Sequence, residues 1–145
     1  VQWLSEQKLD GERNITCTGH SLGAALATIM ASRLDANELY TFGSPRVGDR
    51  RFVKEMNTDK IKHYRFVNNN DIVTRVPPPI VYRHHGELVY INHYGNIRNM
   101  TVWQRIKDQW RGRLAAWKKR EFFDGARDHS MDLYHRKIYN GYIQS

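Results

Sequence analysis

The segment Ile15-Thr16-Cys17-Thr18-Gly19-His20-Ser21-Leu22-Gly23-Ala24-Ala25 decides the fold. Residues 15–18 alternate after a polar turn and read as a strand ending at Gly19. Residues 22–34 are rich in alanine and apolar almost all round, the pattern of a buried helix. Between them Gly19-His20-Ser21-Leu22-Gly23 fits G-x-S-x-G. Five residues match such a pattern often by chance; a strand before and a helix after give it meaning. A sharp strand-to-helix turn brings two backbones together, so Gly19 and Gly23 are expected as structural turn residues, each where a side chain would clash. At the apex Ser21 is forced into a strained conformation that lifts its hydroxyl clear of the sheet. The same turn sets a helix N-terminus under the reacting carbon, which makes the Leu22 N–H the expected oxyanion donor. The competing reading is a glycine-rich turn with an incidental serine, and the flanks disfavour it.

Working outward, residues 38–42 form a second expected strand, closed by the turn Gly43-Ser44-Pro45. Asp49 is placed to cap a short helix reaching about residue 56. Residues 62–67 form a third strand, ended by Asn68, Asn69, Asn70 and Asp71. Strands separated by helices at this spacing predict an α/β fold with a mostly parallel sheet. After Pro77-Pro78-Pro79 the pattern changes: residues 87–92 look like a strand paired with residues 81–84 as a hairpin. A helix is expected over residues 101–120 and a last one over residues 130–142.

The chain has 145 residues, enough for one domain with one core, and 40% hydrophobic with 12% aromatic content suits a folded protein. Its net charge of +8 favours anionic partners without choosing among them. The single cysteine, Cys17, excludes an intrachain disulfide. No apolar run approaches the about 18 residues of a membrane span. The opening VQWLSEQKLDGERN lacks the apolar stretch of a signal peptide and reads as the end of an amphipathic helix, as if the chain started inside a domain. Secreted and cytoplasmic locations both stay open.

A serine hydroxyl needs a histidine to take its proton and a carboxylate to orient that histidine. In a fold with this elbow the chain order is serine, acid, histidine. Asp71 suits the acid, just past a strand at the edge of a parallel sheet; it can serve an Asx-turn as well. Asp49 suits a helix cap, and Asp35 and Asp59 look like surface turn residues. Of the seven histidines, His20 adjoins the nucleophile but is expected to point off another side of the elbow in a structural role. His63 comes before Asp71. His84 and His85, neighbours on an expected strand, face opposite ways, which argues against a shared metal. His129, in the polar turn before the last helix, can reach Ser21 from a loop and is the preferred base, with His93 and His135 as alternatives.

These residues resemble the class 3 lipases related to fungal triacylglycerol lipases. GHSLGAALATIMA looks like that family's elbow and helix, YTFGSPRVGD like its next strand and turn, YRFVNNNDIVTRVPP like its acid block with Asp71 at the acid's position, and DHSMDLY like its histidine block with His129 at the base's position. YRHHGELVYI is similar to a further block, where His84 and Gly86 match a structural His and Gly. The resemblance implies part of an α/β-hydrolase fold, its C-terminal portion, with helices on the sheet, a C-terminal hairpin and a helical segment. It implies hydrolysis of lipid carboxylic esters through an acyl-enzyme, with no metal or cofactor. In that family the lid and the second oxyanion donor lie before the elbow, so residues 1–145 are expected to be one domain truncated at its N-terminus. Alternatives are an inactive lipase-like interaction protein and a phospholipase or thioesterase on the same scaffold.

Residues 101–120 hold seven basic residues against one acidic, Asp108, with Trp103, Trp110 and Trp117 on one stripe. Such a helix suits transient contact with a lipid interface; docking on the core by its tryptophans with a solvated basic face is the competing and favoured reading. No nucleic-acid module accompanies it. Asn14-Ile15-Thr16 and Asn99-Met100-Thr101 are glycosylation sequons of a kind common by chance.

Overall fold

The computed structural model describes residues 14–56, 61–69, 71–92, 97–98 and 129–143. In order these are β1 (Thr16–His20), α1 (Leu22–Arg33), β2 (Glu38–Phe42), α2 (Arg50–Met56), β3 (Lys62–Asn68), a 3-10 turn (Val73–Arg75), β4 (Glu87–Ile91), β5 (Ile97–Arg98) and α3 (Met131–Ile143). The sheet runs β1-β2-β3-β4-β5. The first four strands are parallel and β5 is antiparallel to β4. This is the expected α/β architecture with a C-terminal hairpin.

The hairpin uses other residues than expected. β4 pairs with β5 and β3, while residue 83 makes only an isolated bridge to Gly48. Burial decides this. Tyr90 and Ile91 are buried in the sheet, whereas Ile80, Val81 and Tyr82 are exposed. The expected helix over residues 101–120, the N-terminal helix, the turn 125–128, His93, Asp59 and the second sequon lie outside the described residues.

Side chains alternate across a strand, and β2 shows how the two faces are filled. Leu39 points to a cluster with Ala27, Ala31, Ala36 and Met56, joined by Cys17 and Phe52, under α1 and α2. Tyr40 and Phe42 point the other way, onto Phe66, Ile91 and Tyr134 beneath α3. The parallel register Tyr40↔Tyr64 and Phe42↔Phe66 stacks these rings in pairs, with centroids 5.5 and 4.9 Å apart. Ala24, Ala27, Thr28 and Ala31, spaced for one helix face, bring α1 down on the sheet. The all-round burial expected of this helix holds for that face only: Leu22, Leu26 and Ile29 are exposed. Asp49 caps α2 as expected, its Oδ1 accepting the Phe52 N–H at 2.9 Å.

The N-terminal edge of the sheet carries a buried histidine group. His63 Nε2 lies 2.8 Å from Thr41 Oγ1 and its Nδ1 2.8 Å from His85 Nδ1. His84 Nε2–H donates to the Thr74 carbonyl at 2.8 Å. These two histidines do not face opposite ways from a strand, because residues 84 and 85 precede β4. Burial first, then neighbouring charge, pushes His63 down to about 3 and His84 down to about 4 from 6.5; burial also lowers His85. The unfolded chain takes up protons near pH 6.5 that the native imidazoles refuse until far lower pH. Stability is therefore full above about pH 6.5 and falls as pH drops through 4 toward 3. Urea midpoints measured from pH 7.5 to 4 should decline over that window, less steeply in His63→Asn. A flat profile would contradict the burial of these rings.

Candidate active site

Three chain segments meet at the C-terminal ends of β1, β2 and β3, the edge where open parallel sheets hold ligands. Ser21 follows β1 directly and takes φ 59° and ψ −128°, a left-handed conformation costly for any residue with a Cβ. The surroundings hold it there. Its N–H bonds the Phe42 carbonyl at 3.0 Å, and its own carbonyl accepts from Ala24 N at 3.0 Å. A Cβ on Gly19 would sit 2.3 Å from the Gly23 carbonyl oxygen, so the close approach expected at the elbow is real on that side. Gly23 supplies the other side of that contact: its backbone is the surface that Gly19 must approach.

Ser21 Oγ lies 2.6 Å from His129 Nε2. His129 Nδ1 lies 2.9 Å from Asp71 Oδ2 and 3.0 Å from Oδ1. Asp71 is fully buried. Its other donors are the Val73 N–H to Oδ1 at 2.9 Å and the Tyr134 hydroxyl to Oδ2 at 2.7 Å. The Val73 contact is the Asx-turn that sequence offered as an alternative, and the same carboxylate makes it together with the His129 contact. A carboxylate so fixed requires the proton of neutral His129 to sit on Nδ1, which leaves the Nε2 lone pair facing the serine. Leu22 is the first residue of α1, so its N–H belongs to a helix turn whose amides lack intrahelical partners and point at anions. The structure thus brings together Ser21, Asp71 and His129, with Leu22 beside them. His135 lies elsewhere, on the exposed side of α3 against Tyr139.

Sequence reasoning missed three neighbours. Tyr134 is fully buried, and its hydroxyl accepts the Asn68 N–H at 2.9 Å while donating to Asp71. Its place on the last helix, one turn past His129, was the available signal. Gly43 was read only as a turn. Its φ of +58° and the 2.7 Å from its would-be Cβ to Asp71 Oδ2 make it the floor under Asp71 and His129. His20, expected on another side of the elbow, instead lies against His129, because the turn folds the strand end back under the histidine loop.

No group of three or more His, Cys, Asp or Glu placed to hold a metal occurs among the described residues. No helix among them is long and apolar enough to cross a membrane.

The family model described as Lipase (class 3) matches residues 1–81. Phospholipase A(1) DAD1, chloroplastic, of Arabidopsis thaliana is 41% identical over 75 residues, which cover 47% of this chain and 17% of that protein. A lipase of Rhizomucor miehei is 39% identical over 87 residues, covering 53% of this chain and 24% of that protein. Among solved structures, one described as a triacylglycerol lipase whose catalytic centre is a serine protease triad superposes with a TM-score of 0.54 at 33% identity. It covers 61% of this chain and 37% of that one. The chain spans between 10 and 24% of the length of five curated relatives it matches.

Proposed function

The chain belongs to the class 3 lipase family, and we propose that its protein hydrolyses carboxylic esters of glycerol lipids with Ser21 as nucleophile, His129 as base and Asp71 as the orienting acid. The observation that carries this reading is the continuous line from Ser21 Oγ through His129 to Asp71, at 2.6 and 2.9 Å. Ser21 Oγ attacks the ester carbonyl as its proton passes to His129 Nε2. The imidazolium formed is stabilised by the Asp71 carboxylate, and the carbonyl oxygen takes up negative charge beside the Leu22 N–H. Collapse expels the alcohol, which leaves with the proton from His129, and the acyl group stays on Ser21. Water, deprotonated by His129, then releases the fatty acid and restores the hydroxyl. One oxyanion donor contributes about 100- to 1,000-fold in rate. This chemistry is the same for a triacylglycerol and for the acyl ester of a glycerophospholipid. The lipase and phospholipase names among the relatives fit one site that differs in what surrounds it.

The test is a fluorophosphonate probe on the full-length protein, with the adduct located by peptide mass mapping. The expected adduct is on Ser21 and absent in Ser21→Ala, and p-nitrophenyl butyrate and octanoate are turned over. Labelling that survives the substitution would overturn the nucleophile. A folded protein that neither labels nor turns over any ester would overturn the reading as a whole.

A further inference from the structure

We propose that His20 is a positioning residue for His129, clamping the histidine loop by one hydrogen bond and one ring stack. The proposal rests on the hydrolase reading for its catalytic consequence, but its geometry stands alone. His20 Nε2 lies 2.6 Å from the His129 carbonyl oxygen. A carbonyl only accepts, so His20 carries its proton on Nε2. The two rings stack with centroids 4.6 Å apart and planes 29° from parallel. Tyr134 closes the third side, its ring edge 5.9 Å from His20 at 67°.

The need for such a clamp follows from where His129 sits. It occupies a turn just before α3, not a strand or helix, and a loop backbone is the least rigid place for a group that must hold a 2.6 Å contact. Asp71 fixes one edge of the ring and Ser21 meets the other. Neither touches the backbone of residue 129 or the face of its ring. His20 supplies both contacts from β1, where it pairs with Phe42 of β2 and is therefore as rigid as the sheet.

The experiment compares His20→Ala, His20→Gln and His20→Phe, with folding verified by circular dichroism. Glutamine keeps a donor without the stack, and phenylalanine keeps the stack without the donor. In His20→Ala, kcat should fall about 10- to 100-fold with KM within twofold, and the other two should lie between. A readout independent of turnover is the low-field His129 Nδ1–H proton resonance, expected sharp in the wild type and broadened in His20→Ala. Unchanged kcat and resonance in all three folded variants would overturn the clamp. A broadened resonance in a protein that labels nowhere would keep the clamp and sink the hydrolase reading instead.

Discussion

Asp71→Asn is expected to lower kcat by about 10⁴-fold, with KM within a few-fold and the fold intact. The change is nearly isosteric, so its effect comes from hydrogens. Asp71 now accepts from three donors: the Val73 N–H, the Tyr134 hydroxyl and His129 Nδ1–H. Asparagine has one acceptor oxygen. If that oxygen keeps the Val73 N–H, the new NH₂ faces the tyrosine hydroxyl and the imidazole. The hydroxyl already accepts from Asn68 N–H. The ring then does best by presenting a bare Nδ1 and carrying its proton on Nε2. That proton points at Ser21 Oγ, 2.6 Å away, and a nitrogen that already holds a proton cannot take the serine's. Burial amplifies the effect, because no water reaches a fully buried carboxamide to relieve the mismatch. Fluorophosphonate labelling rates should fall in parallel with kcat, since both need the same deprotonation. A variant that keeps labelling within tenfold of the wild type would show that Asp71 does not set the tautomer of His129.

The positions of Ser21 and Asp71 could be read from sequence because each belongs to a local grammar. G-x-S-x-G between a strand and an alanine-rich helix, and an aspartate ending a strand, depend on residues within a few positions of one another. The histidine needed the chain order as well, since seven candidates compete and the contact spans 108 positions. What surrounds the three was not legible. Tyr134 reaches Asp71 across 63 positions and His20 reaches His129 across 109. No periodicity encodes which way a ring turns at the end of a strand. The hairpin was mispaired for a similar reason. Residues 81–84 and 87–92 look equally extended, and only the parallel docking of β4 on β3 decides that the first of them stays outside the sheet.

Gly43→Ala carries the second large effect, and it tests whether Asp71 and His129 are held by close packing from below. The residue has φ +58°, where an alanine costs about 1 to 2 kcal/mol against glycine. Its new methyl would lie 2.7 Å from Asp71 Oδ2, 2.9 Å from His129 Nδ1 and 3.0 Å from His129 Cε1. Something must shift. Gly43 itself is tied down, its N–H bonded to the Phe66 carbonyl at 3.1 Å. Asp71 is buried and held by Val73 and Tyr134. The part that can give is the His129 ring, which rides on a turn and is 17% exposed. Moving it aside lengthens the contact to Ser21 and tilts the lone pair away. A misplacement near 1 Å costs on the order of 100-fold. The expected outcome is a kcat lower by about 100-fold or more, a smaller change in KM and a lowered melting temperature. A folded Gly43→Ala protein with wild-type kcat would show that the pair tolerates a methyl beneath it. The glycine would then serve the turn after β2 alone, and the alignment of His129 would have to come from above, through His20 and its own loop.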